Sequence, residues 1–281
     1  WRLSSFRPAQ VLKTGAQTKA PGSQWMTPRK AMIGLQFLVA FIVIVTGTVL
    51  YWQFQHMKGG EYPFQVDHVV RIELQESGFE PFQQEARRQA EIQQIGMASG
   101  IPVLDRGSWC RAKSLSRTEA VRGQCLSMDY ETTQLLDLPI VAAKDFTEAR
   151  FERGQAVLVT EAGARHLGFS SPQQALGQPM TLEVRPDEQQ QVQIAGIIQN
   201  FSTNFEAASE NQMIVHYAPD RFELALARVA PGRDSTALAQ LRSTWEQGAT
   251  DPFVGTFLRT HVGEQFADAL AEFGGVMGLL A

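Results

Sequence analysis

Histidine and cysteine are both scarce in this sequence. Five histidines (His56, His68, His166, His216 and His261) and two cysteines (Cys110 and Cys125) stand among 281 residues. No histidine has another within five positions, so no metal-ligand cluster can be read. Two cysteines are too few for a disulfide-dense scaffold, and their spacing is not that of a zinc module. There is no G-x-x-x-x-G-K-[ST] and no G-x-G-x-x-G, so the chain carries no nucleotide cradle of these types. H-E-x-x-H and G-x-S-x-G are also missing. Carboxylates such as Asp129, Glu131 and Asp137 are scattered, and nothing sets a catalytic pair apart from a solvated face. The expectation is a protein that is not an enzyme, with no catalytic, cofactor-binding or metal residues and no cofactor. A formal net charge of −4 gives no basic footprint for nucleic acid.

Acid is absent from the first 30 residues, which hold Arg2, Arg7, Lys13, Lys19, Arg29 and Lys30. Removing these six from 25 cations leaves 19 against 29 acids from Ala31 onward, a net of −10. Charge then vanishes altogether: Ala31–Trp52 (AMIGLQFLVAFIVIVTGTVLYW) has none. As a helix this run spans roughly 33 Å, enough for a hydrocarbon core of about 30 Å. Trp25 before it and Tyr51 and Trp52 at its end suit the interface. The expected organisation is a cytoplasmic basic segment (1–30), a transmembrane helix (31–53) and an extracytoplasmic domain (60–263), oriented by the positive-inside rule. Trp1–Gly15, with apolar Trp1, Leu3, Phe6, Val11 and Leu12 among basic residues, fits a segment lying on membrane lipid, and a solvated linker fits equally well. The chain opens on Trp1 and is expected to be a segment of a longer polypeptide. Residues 264–281 (EQFADALAEFGGVMGLLA) end in nine apolar or glycine residues. They read as the start of a second transmembrane helix or as an amphipathic terminal helix.

Between these ends the pattern predicts a strand at His68–Gln75, a helix at Phe79–Ile95 and a strand at Gly96–Pro102. Residues 103–120 show no period. A strand at Val121–Met128 and a helix at Asp129–Leu138 follow. Next come a strand at Gln155–Val159 and a helix capped by Thr160 and closed by Gly168. Gln178–Val184 and Val192–Ile198 read as a hairpin, and Gln212–Tyr217 as a strand. Phe222–Val229, Ser235–Gln247 and Pro252–Leu258 read as strand, helix and extended segment. The fold class is α+β: two βαβ units, one toward each end, with an inserted mixed lobe at about 120–205. Cys110 and Cys125 enclose 14 residues on the oxidising side; a disulfide and two separate buried thiols both fit. Asn200-Phe201-Ser202 matches a glycosylation sequon.

Several segments resemble the FtsX/MacB-like ABC transporter permeases. Thr27–Phe54, with Arg29, Lys30, Gln36 and Phe37, is similar to the start of a transmembrane helix in that family. Pro8, Leu12 and Lys13 resemble its cytoplasmic P-x-x-x-L-K-G stretch. Leu138–Phe146 resembles a G-R-D-F turn, departing at Ala143 and Lys144. Ala156–Met180 follows V-N-E-x-x-A-x-x-L-G … A-I-G-x-x through Glu161, Ala164, Leu167, Gly168, Leu176 and Gly177, with Thr160 in place of the usual Asn. Ile194–Phe205 resembles I-I-G-V-V-x-D-F through Gly196 and Phe201, with Asn200 in place of Asp. These motif residues are structural.

The resemblance implies a permease segment in the bacterial inner membrane, with a two-lobed periplasmic MacB-like domain and residues 264–281 opening the next transmembrane helix. It implies a separate cytoplasmic ATP-binding subunit, a homodimer or paired transmembrane units, and an outer domain that moves on ATP hydrolysis for export or partner regulation. Its lobes are expected to shift against each other. The alternative from another class is a membrane-anchored sensory domain of a receptor.

Overall fold

The computed structural model describes residues 28–59, 64–74, 79–102, 104–105, 107–115, 117, 119–186, 188–200, 212–249 and 251–261. Residues 264–281, expected to open a second transmembrane helix, and Phe201 lie outside the described residues. The chain divides into a helical unit reaching Gly59 and a second unit spanning Gly60–Val276.

Helix α1 (Pro28–Gly59) makes up the first. Pro28 opens it, where a missing N–H costs nothing. It extends beyond the expected 31–53 at both ends. Its Pro28–Val49 stretch is long and apolar enough to cross a membrane, and none of it is buried. Met32, Leu35, Phe37, Phe41 and Ile44 are all exposed, so apolar surface faces every side. That surface needs lipid or other helices around it.

The second unit begins with β1 (Val69–Glu73), α2 (Phe79–Ala86) and β2 (Ile92–Ala98). Its middle holds β3 (Ser108–Ser114), β4 (Val121–Ser127), α3 (Tyr130–Leu135), β5 (Ile140–Ala143), α4 (Glu148–Phe151) and β6 (Ala156–Thr160). Then follow α5 (Glu161–His166), α6 (Pro172–Ala175), β7 (Pro179–Arg185), β8 (Glu188–Ile198) and β9 (Met213–His216). The last elements are β10 (Leu224–Val229), α7 (Asp234–Gly248) and β11 (Gly255–Phe257).

Four strands form the first sheet, in the order β11-β1-β10-β2, with every neighbour antiparallel. Both expected βαβ units are present, but each is split by a strand of the other: β10 lies between β1 and β2, and β1 between β10 and β11. This is the interleaved ferredoxin-like arrangement, not two separate units. Val70 stands opposite Phe257 in the register, so the first and last strands of the unit are neighbours. On one face Val70, Ile72, Ile95, Ala225 and Ala227 pack against Phe82 of α2 and Leu241 and Trp245 of α7. The Phe82 and Trp245 rings meet edge to face at 5.2 Å.

The expected helix at Phe79–Ile95 stops at Ala86. The register of β2 explains the misreading. Arg228 faces Gln94 while Val229 faces Ile92, so Gln93 is a bulge. A bulge places residues three apart on one face of a strand. Ile92 and Ile95 therefore share the buried face and counterfeit a helical period.

The other seven strands form a second sheet, β5-β8-β6-β9-β4-β3-β7. A further β7–β8 pairing closes six of them into a ring, with β5 outside on β8. Strand β8 makes this closure. Its residues 188–193 pair with β7, and 193–198 pair with β6. Alternating Cys110 and Ala112, Met180 and Leu182, and Val192 and Ile194 fill the interior with Val157, Val159 and Ile214. The inserted lobe is wider than the expected 120–205: β3 and β9, assigned by sequence to the outer unit, belong to this barrel.

The two sheets are not separately cored lobes. Val69, Leu224 and Leu226 of the first sheet share one cluster with Leu126, Leu158, Met213 and Val215 of the second, and with Met128 just past β4. Shifting the lobes against each other would open that cluster to water. Leu226→Ala is therefore expected to cost about 2–5 kcal/mol and to destabilise both sheets together. Hydrogen exchange should show β2 and β6 losing protection equally in this variant; loss confined to β2 would mean that the sheets unfold independently.

Candidate functional site

The family-motif residues of the second unit gather around α5 and β8. Thr160 is its N-cap, and its hydroxyl accepts from the Gly163 and Met213 N–H groups, both at 3.1 Å. Asn200 Oδ1 accepts from the Ala162 N–H at 2.7 Å. The two departures from the family pattern, Thr160 and Asn200, thus satisfy the same helix start. Glu161 lies in the first turn, where the helix dipole favours an acid. Leu167 is buried, and its carbonyl accepts from Ser114 Oγ at 2.8 Å. Gly168 ends the helix at φ +97°, a conformation that side chains oppose. Gly177 and Gly196 lie beside and on β8. A Cβ at Gly196 would stand 2.6 Å from Leu158 Cδ2. Gln36 and Phe37 are exposed on α1. This constellation builds the barrel end and holds no reactive group.

A second cluster joins the sheets. Asp129 Oδ2 accepts from the Met97 N–H of β2 at 3.0 Å, and Oδ1 accepts from the Thr132 N–H at 2.7 Å. Thr132 Oγ1 donates to Met97 O at 3.0 Å, and the Ser127 N–H donates to Ser99 Oγ at 2.9 Å. Gly96 makes the approach close enough: a Cβ there would lie 2.4 Å from Thr132 Oγ1. Asp129 is 6% exposed, and burial outweighs its hydrogen bonds and pushes its pKa up to about 6. His216 is also buried; burial, then Arg221, pushes its pKa down to about 4, so it is neutral at pH 7.

The third feature is the open wall of the barrel, over β4, β3 and β7. Sequence reasoning missed β3. Its alternation is real, but the inward members are small (Cys110, Ala112, Ser114) and the outward ones are Trp109, Arg111 and Lys113. Two adjoining depressions, of about 440 and 370 Å³, share Arg111, Ala120 and Glu183. The Arg122 guanidinium lies 4.5 Å from the Trp109 ring centre. Arg185 pairs with Asp220 at 2.6 Å and Glu188 at 3.6 Å, whereas Arg111 stays 3.8 Å from Glu183. Beneath this wall Cys110 and Cys125 are joined as a disulfide with Cα atoms 5.8 Å apart. No group of three or more His, Cys, Asp or Glu able to hold a metal occurs among the described residues.

Two outcomes follow. Alkylation of denatured, unreduced protein is expected to leave its mass unchanged; two added alkyl groups would exclude the bridge, whose loop of 15 residues is worth about 3 kcal/mol. Asp129 binds its proton more tightly folded than unfolded, where its pKa is 3.8. Its stabilising contribution is thus present below pH 4 and lost as pH rises through 6, by about 3 kcal/mol in total. Urea unfolding between pH 4 and 7 should show this slope in the native protein and not in Asp129→Asn.

No protein-family model matches the sequence, and no curated protein matches it. Among solved structures, the periplasmic region of MacB from Actinobacillus actinomycetemcomitans matches 71% of this chain and 92% of its own, with TM-score 0.52 and 9% identity. The extracellular domain of the ABC-type transporter YknZ from Gram-positive bacteria matches 67% and 99% (TM-score 0.47, 11% identity). A domain of a permease protein from Porphyromonas gingivalis matches 69% and 92% (TM-score 0.49, 12% identity). At such identities the likeness is one of fold. The domain after α1 has the α+β fold of the MacB periplasmic region.

Proposed function

We propose that the chain is part of an ABC transporter permease: a transmembrane helix carrying an outer domain that is displaced when a separate cytoplasmic subunit hydrolyses ATP. The observation that carries this reading is the MacB-like fold of the second unit, found in the same chain as a helix of membrane-crossing length. The six cations before Ala31, with no acid among them, support a cytoplasmic N-terminal side and an outer domain beyond the inner membrane. A disulfide fits that oxidising side. The domain's part is mechanical and not enzymatic. Membrane lipid surrounds α1, and paired transmembrane units or a second copy complete the permease. Because the sheets share a core, the domain moves as one body.

Topology is tested by impermeant thiol labelling in intact cells. Ser243→Cys, exposed on α7, is expected to label and Ser23→Cys to stay unlabelled; the reverse would overturn the orientation. Coupling is tested with the intact permease in nanodiscs. It is expected to bind its separately purified ATPase and raise ATP turnover, while the chain alone turns over none. Failure to form that complex would overturn the permease reading.

A further inference from the structure

We propose that the open wall of the barrel is a docking site for an acidic, extended segment of a protein partner, one that also carries apolar side chains. The proposal deepens the permease reading by naming the chemistry that the outer domain engages.

The wall is a local reversal of charge. The chain from Ala31 onward has 29 acids against 19 cations, yet the two depressions bring Arg111, Lys113, Arg117 and Arg122 together around Glu183. These cations are poorly neutralised. Arg111 is beyond hydrogen-bond distance of Glu183, at 3.8 Å. Lys113 and Arg117 have no carboxylate within ion-pair distance among the described residues. An anionic ligand would gain from several such charges at once, and on an acidic body it would be steered to this wall.

Shape narrows the ligand. The depressions join through Arg111 and run along β3 from Trp109 to Leu115, roughly 20 Å at the rise of a strand. That suits an extended chain. Strand β3 pairs with β4 over Ser108–Ala112 and with β7 over Arg111–Ser114, so neither edge is open along its whole length and no more than three successive residues are left for strand addition. Recognition therefore falls to side chains.

The apolar residues favour a peptide over a glycan or a lipid headgroup. Leu115 is 80% exposed and Trp109 is 56% exposed, one near each end of the trough, with cations between. One face of the Trp109 ring is already covered by Arg122, which reduces its use as a platform for a sugar. An exposed leucine gives a polyanionic glycan nothing. Trp and Arg are also among the side chains that dominate protein interfaces.

The test uses the full chain in neutral-lipid nanodiscs, with no ATPase present, so that its failure leaves the permease reading standing. Fluorescence anisotropy is read for a labelled 12-residue peptide alternating Glu with Leu and Asp with Val. The comparison probes are the same peptide with Gln and Asn for the acids, a sulfated dextran of equal charge, and vesicles with phosphatidylglycerol. The acidic peptide is expected to bind at least tenfold more tightly than its neutral counterpart. R111E with K113E should weaken it at least tenfold, and L115S about threefold, with the circular dichroism of each variant unchanged. Arg88→Glu, exposed in the turn after α2, should change nothing. Equal loss with Arg88→Glu would overturn the proposal. So would binding of dextran sulfate or vesicles as tight as that of the peptide and indifferent to L115S, an outcome that would assign the wall to a glycan or a lipid.

Discussion

Strands β6 and β9 have no solvent face. Every residue of Ala156–Thr160 and of Met213–His216 is buried. One side of these strands belongs to the barrel interior, through Val157, Val159 and Ile214. The other side belongs to the cluster shared with the four-stranded sheet, through Leu158, Met213 and Val215. A strand buried on both faces must be apolar throughout or must satisfy its polar groups internally. Thr160 and His216 are the polar exceptions: the hydroxyl caps α5, while the imidazole is held neutral and its buried Nε2 has no hydrogen-bond partner among the described residues. The rest of the domain is arranged around this double burial. The first sheet and α3 cover one side, and the ring of β3, β4, β7 and β8 closes over the other. What remains uncovered is the outer surface of that ring, where the cations lie.

The parts legible in the sequence are those fixed by neighbours in the chain. The α5 segment is one: Thr160 as cap and Gly168 just past the helix end are local devices, and both sit where pattern reasoning put them. The polar Gln189–Gln191 stretch, read as the loop of a hairpin, lies inside β8, because exposed glutamines on an outer barrel face look like loop. The bulge at Gln93 gave a strand the spacing of a helix. Ring closure was not legible at all, since it depends on β8 changing partners halfway along. The cationic wall is hidden for the same reason. Arg122, Arg111 and Arg185 are brought together by β4–β3 and β3–β7 pairing, across a separation that no motif spans. Asp129 shows the intermediate case. Its cap on α3 can be read from Asp129 and Thr132, but its burial comes from Gly96 and Met97, more than 30 positions earlier.

The pairing of β1 with β11 has a mechanical consequence. Val70 faces Phe257, and just outside them Arg259 donates to Asp67 at 2.5 Å. The chain therefore enters and leaves the domain side by side. A load applied at both points would be shared by β1 and β11, and no line of tension from one point to the other would cross β10 or the barrel. The barrel, inserted in the chain between β2 and β10, lies off that path. Its outer surface can therefore vary without altering the two strands that carry such a load.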